Sequence, residues 1–368
     1  MAWRGQQVTT RLDSDGTLTV ELREQEWQQP AGAMVLVRME AAPINPSDLG
    51  LLFASADTDN AEYSPGRIVA RMPEAATRAM AARHGMAMPL GNEGAGTVVA
   101  AGDDPAAQAL VGKRVACVPG TAYATYALCP AAMCMPVDDS VTAEQAASSF
   151  VNPMTALGFV ETMRMEGFTG LLHAAAASNL GQMLLRICQE DGIPLVNVVR
   201  SSEQAALLTD MGASHVLDMK DPDFVTRLAG AIKQTGAMLG FDPIGGGKMA
   251  SNMLTAMELA ASEGQPFSRY GSSTAKKVYI YGALDLGPTI LNRSFGLTWD
   301  VGGWRLTPFM AKAGPEVLMR MRGRVMQGLT TTFASHYKAR VDLAQMLSKD
   351  AVAEYNARRT GEKYLVIP

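Results

Sequence analysis

The chain has 368 residues, 48% of them apolar and 18% charged, with 32 Lys and Arg against 36 Asp and Glu for a formal net charge of -4. This length predicts two domains with ample apolar side chain for a large core, and a charge balance without long blocks of one sign excludes a nucleic-acid or anionic-membrane surface. Four cysteines without Cys-x-x-Cys spacing predict free thiols in a reducing compartment.

From the N-terminus, Arg11, Asp13 and Asp15 arrive before any apolar run could form a signal-peptide core. No stretch reaches the roughly 18 uninterrupted apolar residues of a spanning helix, so a cytoplasmic protein starting at Met1 is expected. The first fifty residues alternate by twos. Leu18, Val20 and Leu22 sit between Thr17, Thr19 and Glu21, and 34–37 follows the turn material of 29–32, which predicts a hairpin. A helix is expected over 73–84, with proline in its first turn, many alanines and Gly85 as C-cap. Short glycine-bounded strands at 96–100 and 114–118 make the first third a β-rich barrel or sandwich. Tyr123 and Tyr126 fall on a strand whose alternation assigns them to the core.

Near Ser148 the pattern changes to short apolar runs alternating with helical stretches, the grammar of an α/β fold with a parallel sheet. Strands are expected at 171–175, 194–199, 215–217, 237–241 and 277–281, with helices at 180–190 and 203–211. A last strand at 362–368 is expected to rejoin the β-rich part. His173, in an apolar strand, reads as a core residue, and Asp242 as a turn former.

At the first strand-to-helix turn, Ala176-Ala177-Ser178-Asn179-Leu180-Gly181 occupies the G-x-G-x-x-G frame as A-x-S-x-x-G. That chemistry wants residues without bulk, so that backbone N–H groups and a helix N-terminus meet a pyrophosphate. Nineteen residues after Gly181 comes Arg200, followed by Ser201 and Ser202. A carboxylate there would accept from the adenosine ribose and repel a 2'-phosphate; a guanidinium with two hydroxyls binds phosphate instead. The expected cofactor is therefore NADPH rather than NADH.

Seven segments in order resemble the medium-chain dehydrogenase/reductase superfamily, in its zinc-free quinone oxidoreductase and 2-enoyl thioester reductase branches. They are Ala42-Pro43-Ile44-Asn45-Pro46-Ser47-Asp48, Gly91-Asn92-Glu93-Gly94-Ala95-Gly96, Gly112-Lys113-Arg114-Val115, Asn152-Pro153-Met154-Thr155-Ala156, the turn above, Met211-Gly212-Ala213-Ser214-His215-Val216 and Phe241-Asp242-Pro243-Ile244-Gly245-Gly246. The resemblance implies a GroES-like β-barrel catalytic domain from 1–150 and 301–368, a Rossmann domain at 151–300 that binds NADP, and usually a homodimer. Zinc members carry metal ligands where this chain has Asn45, Asn92 and Asn152, and neutral amides are poor zinc ligands, so no metal is expected. Two departures stand out: Ala176 and Ser178 replace glycines, and Ala205 replaces a lysine that relatives place near the 2'-phosphate.

Without a Lewis acid, reduction of a quinone, enone or other α,β-unsaturated carbonyl suits the site better than alcohol oxidation. The resemblance implies that Asn152 and Thr155 lie by the nicotinamide, and Tyr281-Gly282-Ala283 closes a sheet strand where ligands of doubly wound sheets bind. Tyr63 is the first candidate for proton donor or substrate orienter, and Asn45 for a hydrogen bond to substrate or ribose. The segment 54–90 is longer than in relatives and is expected to border the substrate. A 2-enoyl thioester reductase is the alternative enzyme, with Arg67, Arg71, Arg78 and Arg83 as a lane for carrier phosphates. A dinucleotide-binding protein with little catalysis is the alternative of another class.

Overall fold

In a computed structural model, residues 2–357 and 363–368 are described. The chain divides into two compact units, Met1–Val151 with Met326–Pro368, and Asn152–Val325. Both ends of the chain thus build the first unit.

The first unit holds two sheets. One has the order Asp57–Ser64, Arg67–Arg71, Thr17–Trp27, Trp3–Leu12, Met88–Pro89. In the other, Met34–Pro43 pairs with Gly94–Ala101, Tyr126–Pro130 and the last strand, Tyr364–Val366. Their inner faces close on one core that includes Val8, Leu18, Val20, Val37, Val98 and Val115, with Phe53 and Tyr355 from short helices. The last strand does rejoin the β-rich part, with Leu365 opposite Pro43; residue 362, the start of the expected strand, lies outside the described residues.

Two local expectations need correction. Thr17–Trp27 forms its hairpin with Trp3–Leu12, across a turn where Gly16 takes a φ of +84°, and not with 34–37. The run Val35-Leu36-Val37 is fully buried on both faces, so it marks a central strand in the other sheet. The helix expected over 73–84 is shorter, Glu74–Ala79, then a 3-10 turn at Ala81–Arg83, with Pro73 at the N-cap. Within Glu74–Ala79 only Thr77 is buried, so no apolar stripe holds a longer helix to the core. Gly85 keeps its terminating role, at φ +73°.

The second unit is a six-stranded sheet, all parallel, in the order Val216–Asp218, Leu195–Val199, Leu171–His173, Leu239–Asp242, Lys276–Ile280, Trp299–Gly303. In sequence order that is 3-2-1-4-5-6, the arrangement of dinucleotide-binding doubly wound sheets. The unit runs to Val325, beyond the expected boundary at 300. Its sixth strand leads into Trp304 and two helical segments within Leu306–Gln327, broken at Gly314 (φ +82°) before Pro315, which are tied to Val151–Met165 and Asn179–Asp191 by aromatic packing and ion pairs. Trp304 packs edge-on to Phe159 at 4.8 Å, and a Cβ on Gly158 would meet its ring at 2.8 Å. Arg320 pairs with Glu161 at 2.8 Å, and Arg324 with Glu190 and Asp191.

Lys276 is buried in the fifth strand, with Nζ 2.7 Å from Glu258 and donating to Ser272 Oγ and the Thr274 carbonyl. Removing one partner of a buried pair strands the other charge. Lys276→Met should cost about 3–5 kcal/mol in denaturant unfolding, and adding Glu258→Leu should recover part of the loss.

Candidate functional site

In the second unit, Leu171–His173 leads through 174–178 into the helix Asn179–Asp191. Ser178 is the N-cap, its hydroxyl accepting from the Gly181 N–H at 3.2 Å. The left-handed residue of the turn is Ala175, at φ +50°, while Ser178 sits at -64°. The first two glycines of the frame are therefore dispensable on conformational grounds. Gly181 is not: a Cβ there would lie 2.1 Å from the Ala176 carbonyl oxygen. Ala176, Ala177 and Leu180 are buried, and Ser178 and Asn179 are half-buried, so the side chains of the turn are small or turned inward. Such a turn fits a pyrophosphate.

Arg200 follows the second strand directly, its side chain exposed and its N–H donating to Gln204 Oε1. Ser201 caps the helix Ser202–Asp210, its hydroxyl accepting from the Gln204 N–H. A hydrogen bond from Ser201 also holds the Glu203 carboxyl below its usual range, with help from the charge of Lys220. Sequence reading missed Lys220 because it lies twenty residues on; the parallel sheet brings its loop beside that of Arg200.

At the end of the fifth strand, the Tyr281 hydroxyl meets His173 Nε2 at 2.7 Å. Burial pushes His173 down to about 3, so it is a neutral ring at physiological pH. Asp242 accepts from the Ile244 N–H at 2.8 Å, as a turn former does, and burial raises it to about 6. Glycine at 282 answers to the chain itself, since a Cβ would fall 2.6 Å from the Pro243 carbonyl oxygen. Ala283 is exposed. Asn152 and Thr155 share one face of the first turn of Val151–Met165, with Thr155 buried and Asn152 half-buried.

The first unit holds a separate polar cluster that sequence reading saw only in part. Asp48 accepts from the backbone N–H of Asn45 at 2.8 Å and of Asn92 at 3.0 Å, which ties two of the quoted segments together. Glu93 accepts from Asn45 Nδ2 at 2.9 Å and from the N–H groups of Phe150 and Val151. Lys363 donates to Ser148 Oγ at 2.7 Å, and the Tyr337 hydroxyl bonds the same oxygen. Burial pushes Asp48 up to about 6 and Glu93 up as well, the latter opposed by Lys363. Burial lowers Lys363 to about 8 despite both carboxyls. The available signal was two carboxylates inside small, apolar motifs.

Tyr63 lies on Asp57–Ser64 with its hydroxyl donating to the Thr58 carbonyl at 2.8 Å, a bond that fastens its own strand. Tyr123 is buried and donates to the Pro43 carbonyl, and Tyr126 packs edge-on against Trp27. Of the arginines expected to form a phosphate lane, Arg67, Arg71 and Arg78 pair with Glu21, Asp15 and Glu74, and half-buried Arg83 donates to Thr10. Among the described residues, no group of three or more His, Cys, Asp or Glu is arranged to hold a metal, and no helix is long and apolar enough to cross a membrane. All four cysteines are free and buried.

A β-barrel unit interrupted by a 3-2-1-4-5-6 parallel sheet gives this chain the medium-chain dehydrogenase/reductase fold, with a GroES-like domain and a Rossmann domain. Residues 31–139 match the alcohol dehydrogenase GroES-like domain. A protein assigned as an NADPH:quinone reductase from Mesorhizobium loti matches 99% of this chain and 98% of its own, with a TM-score of 0.74 and 25% identity. The NADPH complex of Escherichia coli quinone oxidoreductase matches 99% and 100%, with a TM-score of 0.69 and 18% identity, a likeness of fold. In sequence, the mitochondrial enoyl-acyl-carrier-protein reductase of Bos taurus is 28% identical over 209 residues, 55% of this chain. That stretch spans 50% of the relative, about half its length.

Because its folded-state pKa of about 6 lies above the ordinary 3.8, Asp48 takes up protons on folding between those values, and its contribution to stability falls as pH rises through that window. Asp48→Asn should remove this dependence, which amounts to at most ~1.4 kcal/mol per pH unit. The amide retains one acceptor for two N–H groups, so the variant should also lose about 1–3 kcal/mol at pH 7. Urea midpoints of both proteins at pH 5 and pH 7 check both statements.

Proposed function

We propose that this chain is a zinc-independent, NADPH-dependent reductase of a quinone, enone or other α,β-unsaturated carbonyl. The observation that carries the reading is the small-residue turn at Ala176–Gly181 on a 3-2-1-4-5-6 sheet, with Arg200 at the end of the second strand. NADPH, when bound, supplies hydride to the electron-poor carbon. The N–H groups at the start of Asn179–Asp191 hold the pyrophosphate, helped by the partial positive charge of that helix end. Arg200, Ser202 and Lys220 face the 2'-phosphate, with Ser201 contributing through the cap that shapes the loop. Thr155, Asn152 and the backbone of Tyr281-Gly282-Ala283 orient the nicotinamide end. Tyr63 as proton donor has the least support, because its hydroxyl is engaged with Thr58.

The enoyl thioester reading is favoured by the mitochondrial enoyl reductases among the relatives. Against it, three of the four candidate lane arginines are neutralised by carboxylates. A cytoplasmic homodimer also belongs to the proposal. It draws on the exposed apolar residues Leu284, Leu286, Ile290 and Leu297 in one segment of the second unit, and on Trp299–Gly303 at the sheet edge.

Titration of the protein with NADPH and NADH, followed by NADPH oxidation with a quinone, a free enone and an enoyl-CoA, tests the reading. Arg200→Asp should weaken NADPH by roughly 10- to 100-fold, the loss of one charge-assisted phosphate contact, and NADH far less. Equal losses for both would count against the cofactor assignment. NADPH binding without turnover of any acceptor would favour a binding protein.

A further inference from the structure

Three of the four cysteines meet inside the first unit. Cys117, Cys129 and Cys134 belong to its core, and the thiols of Cys117 and Cys134 both donate to the Cys129 sulfur. Strand register fixes the spacing of two of them. Arg114–Cys117 and Cys134–Pro136 run antiparallel, with Cys117 directly opposite Cys134. The Val118 N–H donates to the Met133 carbonyl, and the Val137 N–H to the Arg114 carbonyl. These bonds make 118/133 and 114/137 hydrogen-bonded pairs, and since the two kinds of pair alternate along a ladder, 117/134 is of the other kind. Pro136, which has no N–H to give, fills another such place opposite Val115. Cα atoms opposed in this way lie about 4.5 Å apart with both side chains on one face, inside the roughly 4.4–6.8 Å that a disulfide spans.

Cys134 is also where solvent reaches the cluster. It keeps 8% of its surface, against 1% for Cys117 and 0% for Cys129. Its strand has three residues, lies at the edge of its sheet and follows the 3-10 turn Ala131–Met133. Short, weakly packed segments open locally at low cost, so a small oxidant meets Cys134 without having to enter the core.

We propose that Cys134 and Cys117 are a reversible modification site, oxidised by hydrogen peroxide to a cross-strand disulfide inside the first unit. The Cys134 sulfur attacks the peroxide: an S–O bond forms, the O–O bond breaks, and the departing oxygen takes the thiol proton and leaves as water. The Cys117 sulfur then attacks that of Cys134: S–S forms, S–O breaks, and the second oxygen leaves as water with the Cys117 proton. Two thiols and one peroxide become one disulfide and two waters, and the sulfur pair gives up two electrons. A dithiol reductant returns the thiols. The site stands apart from the dinucleotide turn and does not depend on NADPH binding.

The unaltered protein, reduced, freed of reductant and exposed to hydrogen peroxide, tests the proposal. After denaturation it should show two fewer titratable thiols than the original four, with a mass loss of about 2 Da, and dithiothreitol should restore both. Peptide mapping under non-reducing conditions should join Cys117 to Cys134. Cys188, the cysteine of the second unit, is buried and serves as the internal control: Cys188→Ala should leave the link intact. Cys134→Ala should leave its remaining thiols free, because Cys117 and Cys129 are sealed from solvent. Four thiols retained after peroxide, a link to Cys129 or Cys188, a link between two chains, or sulfinic acid on Cys134 without a link would overturn the proposal. Oxidation of Cys117 in Cys134→Ala would overturn Cys134 as the point of attack. The unaltered chain decides even where a variant fails to fold.

Discussion

The first unit turns on one buried carboxylate. Glu93 accepts from Asn45, which opens the helix Pro46–Leu52, and from Phe150 and Val151, where the chain leaves the barrel. Lys363, just before the returning strand Tyr364–Val366, supplies the opposing charge. A charge is costly to bury unless donors surround it. Here the donors come from 45, 150 and 151 and the opposing charge from 363, so satisfying the carboxylate draws distant parts of the chain into one place. Asp48 repeats the device on a smaller scale by clamping the backbones of Asn45 and Asn92.

The second unit is governed by close packing. At Gly181 the helix comes so near the first strand's turn that no side chain fits, and at Gly158 the opening helix does the same against Trp304. These approaches bring the helices close against the parallel sheet and its turns. They also explain why a turn with one glycine of three suffices: the left-handed position falls on Ala175, outside the glycine frame, and Ser178 acts as a helix cap.

Metal chemistry and phosphate recognition are matters of charge placement in this chain. Asn45 and Asn92, neutral amides that make poor zinc ligands, take part in hydrogen bonds to Glu93, Ser47 and Asp48. The arginines of 67–78 pair locally with Glu21, Asp15 and Glu74. Arg200 lies exposed at a strand end, which leaves its guanidinium open to solvent and ligand.

Five of the six parallel strands were legible because each is a short apolar run, whereas the sixth, Trp299–Gly303, carries two glycines and an aspartate at the sheet edge and was not expected. Local pattern also assigned the core places of Tyr123 and His173 and the turn at Asp242. It failed where partners are remote. Nothing local distinguishes a hairpin between 17–22 and 34–37 from one between Trp3–Leu12 and Thr17–Trp27, since both obey the same alternation. Tyr63 looked available for chemistry until its hydroxyl found Thr58, and Ser201 until it became a cap. The sequence by itself determined the change from a β-rich part to an α/β part near Ser148 and the absence of ligand-type side chains at positions 45, 92 and 152, for these depend on residue identity and period. Only the tertiary structure decided that Asn45 meets Glu93, that the charge of Lys220 reaches Glu203, and that the second unit runs to Val325, because each depends on atoms brought together from far along the chain.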